Sequence, residues 1–324
     1  MIVWVVRRIA ASIAIVWAVV TLTFILIHAA GGSPGLPENS QGVDQQTIAR
    51  IRREFGLDRP LPVQYVLYFR NLARGNMGVS FKLGRPVADA LADAIPHTFV
   101  LAFAALLIDF AVGLALGVYQ AVRERSVGDV VLGNIALFVN SMPTFWLGLV
   151  LLLLLAQWLH VFPAGGLNDP VLCPRFDSFP CVLDFCWHLT LPALTLGLVG
   201  AAGTARFERA AMLEVIRQDY VRTARAKGLA ERRVLLVHVL RNALLPFITL
   251  VGLAFPFLLT GAVLIETVFA WPGMGLLAVN AIFQRDYNVV TGAAIVTSTM
   301  VVLGSLIADL LYAIADPRIR VRGA

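Results

Sequence analysis

The sequence predicts an all-α, polytopic membrane protein with six transmembrane helices, and composition and patterning both support this prediction. Of the 324 residues, 59% are hydrophobic and only 14% are charged, whereas a soluble domain carries about a quarter charged residues. The apolar residues also lie in six separate blocks, each near the roughly 20 residues that a helix needs to cross a bilayer. These blocks cover about residues 9–30, 98–122, 130–157, 189–205, 244–266 and 289–314. Helices are expected because hydrocarbon offers no partners for free backbone groups.

The first block also has features of a secretory signal, since Arg7 and Arg8 precede it. The apolar part of a signal usually has about 7–15 residues and ends at a small-residue cleavage site. This block is longer, and His28-Ala29-Ala30 matches such a site poorly. We interpret it as an uncleaved first span. The fourth block is the weakest, because it is short and is bounded by Pro192 and Arg206.

Lysine and arginine in the connections between blocks predict that both termini lie on the inner side of the membrane. In that orientation the inner segments hold Arg7, Arg8, Arg123, Arg125, nine basic residues between Arg206 and Arg241, and Arg318, Arg320 and Arg322. The short outer loops hold only Arg175 and Arg285. The net charge of +6 is explained by this topology, so no nucleic-acid partner is predicted.

The chain divides into an N-terminal segment with the first span (residues 1–30), an outer segment (31–97) and a core of five spans (98–324). In the outer segment we predict a helix over residues 44–55, with Asp44 as its N-cap and Gly56 past its end. A second helix is predicted over residues 62–73, ending at Gly75. Both are too short to span, and they either pack on the membrane rim or a partner, or form a platform for a substrate-delivery protein.

Cys173, Cys181 and Cys186 all fall between the third and fourth blocks, on the predicted outer side, where disulfides persist. One bridge with one remaining thiol is expected, and the sequence does not decide which two cysteines pair. A metal site that also uses His188 is the alternative, although the C-x7-C-x4-C-x-H spacing matches no standard zinc pattern.

The inner stretch 206–241, within the longer connection 206–243, contains no proline and a single glycine, Gly228. It is otherwise rich in good helix formers, so two or more helices broken at Gly228 are predicted. Asp219 is the expected cap of a short helix that Gly228 ends in the left-handed conformation. Ala224 and Ala226 would keep part of its surface low. Such an element suits a docking knob that transmits a partner's motion, and an ordinary basic inner loop is the alternative.

Residues 219–229 read Asp-Tyr-Val-Arg-Thr-Ala-Arg-Ala-Lys-Gly-Leu, and Leu245-Pro246 follows. This stretch resembles the cytoplasmic "EAA" loop of binding-protein-dependent ABC importer permeases. Arg222-Thr223-Ala224 stands at the Glu-Ala-Ala position and Gly228 has the matching distance, whereas Leu245-Pro246 comes later than in the general pattern. The resemblance implies that the ATPase-coupling residues are Asp219, Tyr220, Arg222, Thr223, Ala224, Arg225, Lys227, Gly228 and Leu229.

Five further segments are similar to the dipeptide, oligopeptide and nickel subgroup of that family. They are residues 55–65 (FGLDRP, then Gln64-Tyr65), 75–80 (GNMGVS), 141–148 (SMPTFWLG), 266–287 (ETVF and WPGMG, then Arg-Asp-Tyr) and 316–320 (DPRIR). The long outer segment points to the first, or B-type, member of a permease pair. The cysteine-bearing loop departs from the pattern.

The resemblance implies a subunit of a di- or oligopeptide importer in the bacterial inner membrane. Its implied partners are a second homologous permease, two cytoplasmic ATPase subunits that bind ATP and Mg, and an outer solute-binding protein. No Gly-x4-Gly-Lys-Ser/Thr phosphate loop occurs in this sequence. We therefore expect no enzymatic activity, cofactor or metal in this chain, and ATP hydrolysis on another. Uptake of nickel or another small solute by the same architecture is the runner-up.

Asp109 lies near the middle of the second block, where a charge is expensive and usually functional. One interpretation is that it contacts the amino group of a substrate or binds a transported proton. The other is that it is a hydrogen-bonded or protonated acid at a helix interface. The candidate translocation path or gate comprises Asp109, Ser141, Pro143, Glu266 and Phe269. A proton-coupled secondary transporter using Asp109 is the alternative of another class, and a scaffold without transport is a third. His28 and Asp309 are interpreted as structural.

Overall fold

The computed structural model describes residues 2–29, 46, 49, 53, 56–80, 82–173, 178–244 and 262–315, and these are mostly helical. The helices are α1 (Ile2–Ala29), α2 (Leu61–Ala73), α3 (Val87–Val122), α4 (Val127–Ser141), α5 (Thr144–Leu151), α6 (Phe179–Ile216), α7 (Asp219–Ala226), α8 (Glu231–Arg233), α9 (Met274–Phe283) and α10 (Tyr287–Ala315). π-Helical turns, Leu152–Trp158 and Val234–Leu240, continue α5 and α8. Strands β1 (Val79–Ser80) and β2 (Arg85–Pro86) form a short antiparallel hairpin.

Four of the described helices are long and apolar enough to cross a membrane, namely α1, α3, α6 and α10. The pair α4 and α5 adds a fifth span if its two halves are counted together. The protein is therefore a helical, multi-pass membrane protein, as predicted. The predicted fifth span falls mainly on residues 245–261, outside the described part of the chain, so the count of six remains a prediction.

The third predicted span is not one continuous helix. Helix α4 ends at Ser141, and α5 begins at Thr144 after a bend of 108°. Pro143 lies at the break and, lacking a backbone N–H, is the N-cap of α5. The residue before a proline disfavours the helical conformation. Met142 accordingly adopts an extended conformation.

Two helices extend beyond the predicted spans. Helix α3 starts at Val87, eleven residues before position 98, and contains Pro96 in its interior. Helix α6 runs for 38 residues through Pro192 and Arg206, so neither residue bounds it. A proline is tolerated inside a membrane helix when neighbouring groups satisfy the carbonyl that it frees. Cys181, which we expected in the preceding loop, consequently lies in the first turn of α6, with Cys186 and His188 further along it.

The chain forms two compact units, Met1–Phe99 with Pro272–Leu303, and Val100–Trp271 with Gly304–Ala324. In the first unit, Val20 and Phe24 of α1 pack with Tyr68 of α2 and Ile295 of α10. The predicted helix at 62–73 is thus confirmed as α2, and it packs on α1. The predicted helix at 44–55 lies outside the described residues except for Gln46, Ala49 and Arg53, which are helical.

The hairpin of the first unit is held by side chains that follow α9. The Ser80 hydroxyl donates to Oδ2 of Asp286 at 2.6 Å, and Asn288 Nδ2 donates to the Val79 carbonyl at 2.9 Å. These bonds fix strand β1 to the residues at the start of α10.

Glycines let α3 and α6 approach closely in the second unit. A Cβ added to Gly117 would lie 2.7 Å from the Ala205 carbonyl oxygen, and one added to Gly197 would lie 2.7 Å from Cβ of Ile108. Small residues at such positions allow membrane helices to bring their backbones together. This contact places the midpoint of α3, with Asp109, directly against α6.

Candidate functional site

The connection after α6, which we predicted to lie on the inner side, consists of a short helix between two longer elements. Helix α6 ends at Ile216, α7 covers Asp219–Ala226, and Gly228 follows with φ of +77°. The predicted break at Gly228 and its left-handed conformation are confirmed. A Cβ at Gly228 would meet nothing within 4 Å. Backbone conformation, and not lack of space, is therefore the reason for glycine at this position.

The predicted cap of α7 is wrong by one residue. Gln218 is the N-cap, without a side-chain hydrogen bond, and its carbonyl accepts the Val221 N–H at 3.1 Å. Asp219 is instead the first helical residue, and its side chain is 97% exposed. A carboxylate in the first turn still complements the helix dipole.

One face of α7 is fixed in the core of the second unit. Val221 is fully buried and Ala224 is 7% exposed. They cluster with Ala121 of α3, Met212 of α6 and Val234 of the following π-helical turn. Ala224 therefore faces the core of the unit. The prediction that its small side chain lets another protein approach the surface of the loop is wrong for this residue. The reason is that its packing partners come from α3 and α6, which local sequence does not place.

The opposite face of α7 is exposed and basic. Arg222, Thr223, Ala226 and Lys227 are all exposed. The Arg222 side chain is 73% exposed, and its contact with Asp219 is long, at 3.5 Å. Such an ion pair contributes little to stability. Arg222 and Lys227 are thus available to a second protein.

Tyr220 and Arg225 contact the chain that follows Gly228. The Arg225 guanidinium donates to both Glu231 carboxylate oxygens, at 3.1 and 2.7 Å. These hydrogen bonds lower the pKa of Glu231. The Tyr220 hydroxyl accepts from Asn242 Nδ2 at 3.1 Å. Arg225 therefore holds α7 against α8, and Tyr220 holds it against the residues after the π-helical turn. Leu229 is half-buried and packs on the cluster around Val221 and Ala224.

Asp109 lies at the interface of α3 and α6. It is 5% exposed, and its Oδ1 accepts a hydrogen bond from the Thr204 hydroxyl at 2.7 Å. A Cβ added to Gly200 would collide with the Asp109 carboxylate. The carboxyl group thus occupies space that Gly200 leaves open, and it bonds to the facing helix.

Three of the other predicted path residues lie at helix ends or turns, and Glu266 lies within a helical stretch. Ser141 ends α4, and its hydroxyl donates to the Leu137 carbonyl at 2.8 Å; Pro143 follows at the 108° break. Glu266 is fully buried in the helical residues 262–268. Phe269, also buried, lies in the turn that follows, where its carbonyl accepts the Gly166 N–H at 2.9 Å.

The structure pairs Cys173 with Cys181 in a disulfide, and Cys186 is free and exposed. The bridge uses two of the three thiols that the alternative metal site required. His188 Nδ1 lies 2.9 Å from the Asp184 carbonyl and 3.3 Å from its carboxylate. The histidine is therefore held by its own helix.

An ion pair that the sequence did not predict joins the buried Asp129 of α4 to the partly exposed Arg209 of α6. Asp129 is 5% exposed, and both of its carboxylate oxygens accept from Arg209 at 2.8 Å. One signal was available, because Ser126 and Asp129 have the spacing of a capping box. Ser126 is indeed the N-cap of α4 and accepts from the Asp129 N–H at 3.2 Å. Nothing local pointed to Arg209, which is 80 residues away.

Comparison with known proteins identifies the family. The model of the binding-protein-dependent transport system inner membrane component matches residues 113–321, and the N-terminal model of such membrane components matches residues 1–102. The oligopeptide transport system permease protein AppB of Bacillus subtilis is 38% identical over 317 residues, covering 98% of each chain. The di/tripeptide permease protein DppB of Pseudomonas aeruginosa is 41% identical, covering 97% of each, and the dipeptide permease protein DppB of Escherichia coli K12 is 36% identical, covering 98%.

The matches extend over nearly the whole chain and include the connection that carries α7. They agree with the multi-pass helical architecture of the described residues. The chain belongs to the family of inner membrane components of binding-protein-dependent transport systems.

Proposed function

We propose that this chain forms half of a translocation pathway for di- or oligopeptides in an ATP-driven importer. The support for peptides comes from the three relatives above, which are 36–41% identical and are named for oligopeptide, di/tripeptide and dipeptide transport. Their names favour peptides over nickel or another small solute. The chain itself acts as a permease, and hydrolysis takes place on a separate subunit.

The family implies an ATPase and a solute-binding protein as partners. Beyond this, we propose a second homologous permease that completes the pore, and two ATPase subunits that bind ATP and Mg on the cytoplasmic side. Both termini of this chain are proposed to lie on that side, because the basic residues concentrate in the connections that this orientation places inside.

Helix α7 is the proposed contact with the ATPase. The observation that carries this is the division of its surface: Val221 and Ala224 are buried in the core, whereas Arg222 and Lys227 are exposed. A helix fixed on one side to α3 and α6 moves with them, and its exposed basic side offers a partner a rigid surface. Tyr220 and Arg225 act in this proposal by holding α7 to the segment after Gly228.

The translocation path is proposed to include Ser141, Pro143, Glu266 and Phe269. Ser141 and Pro143 lie at a helix break, which membrane proteins tolerate inside the protein or beside a water-filled cavity, and Glu266 is a buried acid close to the turn at Phe269. Asp109 is assigned a different role. Its hydrogen bond to Thr204 and its contact opposite Gly200 support a structural acid at the α3–α6 interface. A proton-coupled mechanism depends on a free Asp109, and it also conflicts with the family's dependence on a binding protein.

The docking surface is tested with Arg222→Glu, assayed by the amount of ATPase subunit that copurifies with the affinity-tagged permease. Reversal of a charge at a contact of about 1–2 kcal/mol should reduce retention roughly tenfold. Arg217→Glu is the charge-reversal control, because Arg217 is also exposed (66%) and lies just before α7; its ion pair with Glu124, at 3.1 Å, is a surface contact that contributes little to stability. Equal retention in both variants, with both permeases folded, would contradict docking through α7.

A further inference from the structure

The second unit contains a cavity of about 460 Å³ that the proposed transport mechanism does not use. Its walls come from the last turn of α3, from α4 between Asp129 and Leu137, and from the C-terminal third of α6. The lining includes Gln120, Asp129, Asn134, Leu137, Arg206 and Arg209. Two guanidinium groups and two amide side chains thus line one opening.

The cavity carries one uncompensated positive charge. Arg209 is neutralised by Asp129 through bonds from Nε and Nη2. Arg206 lies almost one turn earlier on α6, is exposed, and makes no hydrogen bond or ion pair within the described part of the chain. Two arginines and one aspartate leave a net charge of +1. This charge matches a headgroup with a net charge of −1, in which no cation accompanies the phosphodiester, and does not match a zwitterionic headgroup.

Hydrogen-bond donors that have no partner among the described residues lie near the Arg206 guanidinium. Arg209 keeps Nη1, since only Nε and Nη2 bond to Asp129. The Asn134 side chain is exposed at the wall of the cavity. Gln120, in contrast, is buried and donates to the Asp129 carbonyl at 3.1 Å. A Cβ at Gly133 would come within 3.3 Å of the Gln120 amide, so the glycine helps to keep the cavity open.

The position of the cavity places it near the inner ends of the apolar blocks. Gln120 lies two residues before the end of α3, and Asp129 lies in the first turn of α4. Arg206 follows the apolar block of α6 directly. The connection between α3 and α4 contains Arg123 and Arg125, which predicts the inner side. The cavity therefore lies at the depth of the headgroups of the inner leaflet.

One wall of the cavity continues into an apolar surface. Val130 and Leu137 line the cavity and are 56% and 49% exposed, and Ile135 of the same helix is 52% exposed. Exposed aliphatic side chains beside an arginine pocket suit acyl chains attached to a charged headgroup. Basic pockets between membrane helices on the cytoplasmic side are sites for anionic lipid headgroups.

We propose that this cavity binds the phosphodiester headgroup of an anionic phospholipid of the inner leaflet. Arg206 and Nη1 of Arg209 contact the phosphate, Asn134 contacts the polar end of the headgroup, and the acyl chains lie along Val130 and Leu137. The Asp129–Arg209 pair joins the site to the fold, so lipid binding stabilises the packing of α4 on α6.

The test uses the intact transporter, purified in detergent, stripped of lipid and titrated with phosphatidylglycerol while thermal unfolding is followed. Parallel titrations use phosphatidylcholine and inorganic phosphate. Phosphatidylglycerol should raise the unfolding temperature, and Arg206→Gln should weaken its apparent affinity about five- to tenfold. Arg217→Gln removes the same charge at the C-cap of α6, outside the cavity, and should leave the affinity unchanged.

Three results would overturn the proposal. Equal stabilisation by phosphatidylcholine would show that the cavity does not recognise the net charge of the headgroup. Equal stabilisation by inorganic phosphate would assign the site to a soluble anion. Unchanged lipid affinity in Arg206→Gln, together with loss of the second permease from the complex, would assign the cavity to a carboxylate of that partner. None of these outcomes depends on transport activity, so failure here leaves the proposed function standing.

Discussion

Asp109 and Gly200 face each other across α3 and α6, and the Asp109 side chain limits which residues position 200 tolerates. The Asp109 carboxylate lies where a Cβ of residue 200 would be, and Thr204 donates to it at 2.7 Å. A carboxyl group in a membrane helix is expensive. Its hydrogen bond and its fit opposite a glycine explain why this one is tolerated at a helix interface.

This geometry predicts that Gly200→Ala destabilises the permease by about 1–3 kcal/mol, the usual range for overpacking. Asp109→Ser shortens the opposing side chain, so the double variant should recover part of that loss. Thermal unfolding of the two single variants and the double variant gives the coupling energy. A double variant whose loss equals the sum of the two single losses would contradict the contact.

Substrate contact by Asp109 is tested separately. Asp109→Asn keeps an acceptor for Thr204 and removes the charge. We expect peptide uptake to stay within about twofold of the unaltered transporter, because the carboxylate acts at the interface. A large change in the apparent affinity for peptide, with assembly intact, would instead return Asp109 to the translocation path.

At the scale of elements, the α3–α6 pair depends on glycines at particular positions. A Cβ at Gly117 would lie 2.7 Å from the Ala205 carbonyl oxygen, and this backbone atom has little freedom to move. A Cβ at Gly203, on α6, would meet nothing closer than Oδ1 of Asn140 at 3.7 Å. Comparing alanine variants at the two positions therefore distinguishes the effect of close helix packing from the general effect of replacing a glycine.

Gly117→Ala should lower the unfolding temperature, whereas Gly203→Ala should leave it unchanged or raise it slightly through lower chain entropy. Both are compared by thermal unfolding in the same detergent. The α3–α6 contact would be wrong if the two alanine variants unfolded at the same temperature.

The elements also show which structural features can be predicted from sequence. Apolar runs located the membrane helices, because only a helix satisfies its backbone in hydrocarbon. Their ends were predicted less well: α6 passes through Pro192 and Arg206, and the helix interrupted at Pro143 was expected to be continuous. A proline changes the local hydrogen bonds, but neighbouring helices decide whether the chain bends there.

In the connection after α6, too, local features were predicted correctly and contacts with other helices were not. The left-handed Gly228 followed from the local composition, since glycine is the residue that adopts this conformation easily. The inward position of Ala224 did not, because it depends on Ala121 and Met212, which come from other helices. The Asp129–Arg209 pair was missed for the same reason.

At the scale of the whole molecule, transport requires that work done by one subunit reaches helices in another. Helix α7 is suited to this, since Val221 and Ala224 tie it to α3 and α6 while its basic face stays exposed. Gly228 allows the chain to turn directly into α8 without leaving this core. A residue with a side chain at φ near +77° is strained by about 1–2 kcal/mol.

Gly228→Leu in the reconstituted transporter, with its binding protein and ATPase, is the most direct test of coupling through this connection. Gly75→Leu is the matched control, because Gly75 has φ of +76° and equally open space in the first unit. Peptide uptake and ATP hydrolysis are measured together. We predict that Gly228→Leu loses at least about tenfold in peptides imported per ATP hydrolysed, whereas Gly75→Leu keeps the normal ratio; a normal ratio in Gly228→Leu would contradict coupling through α7.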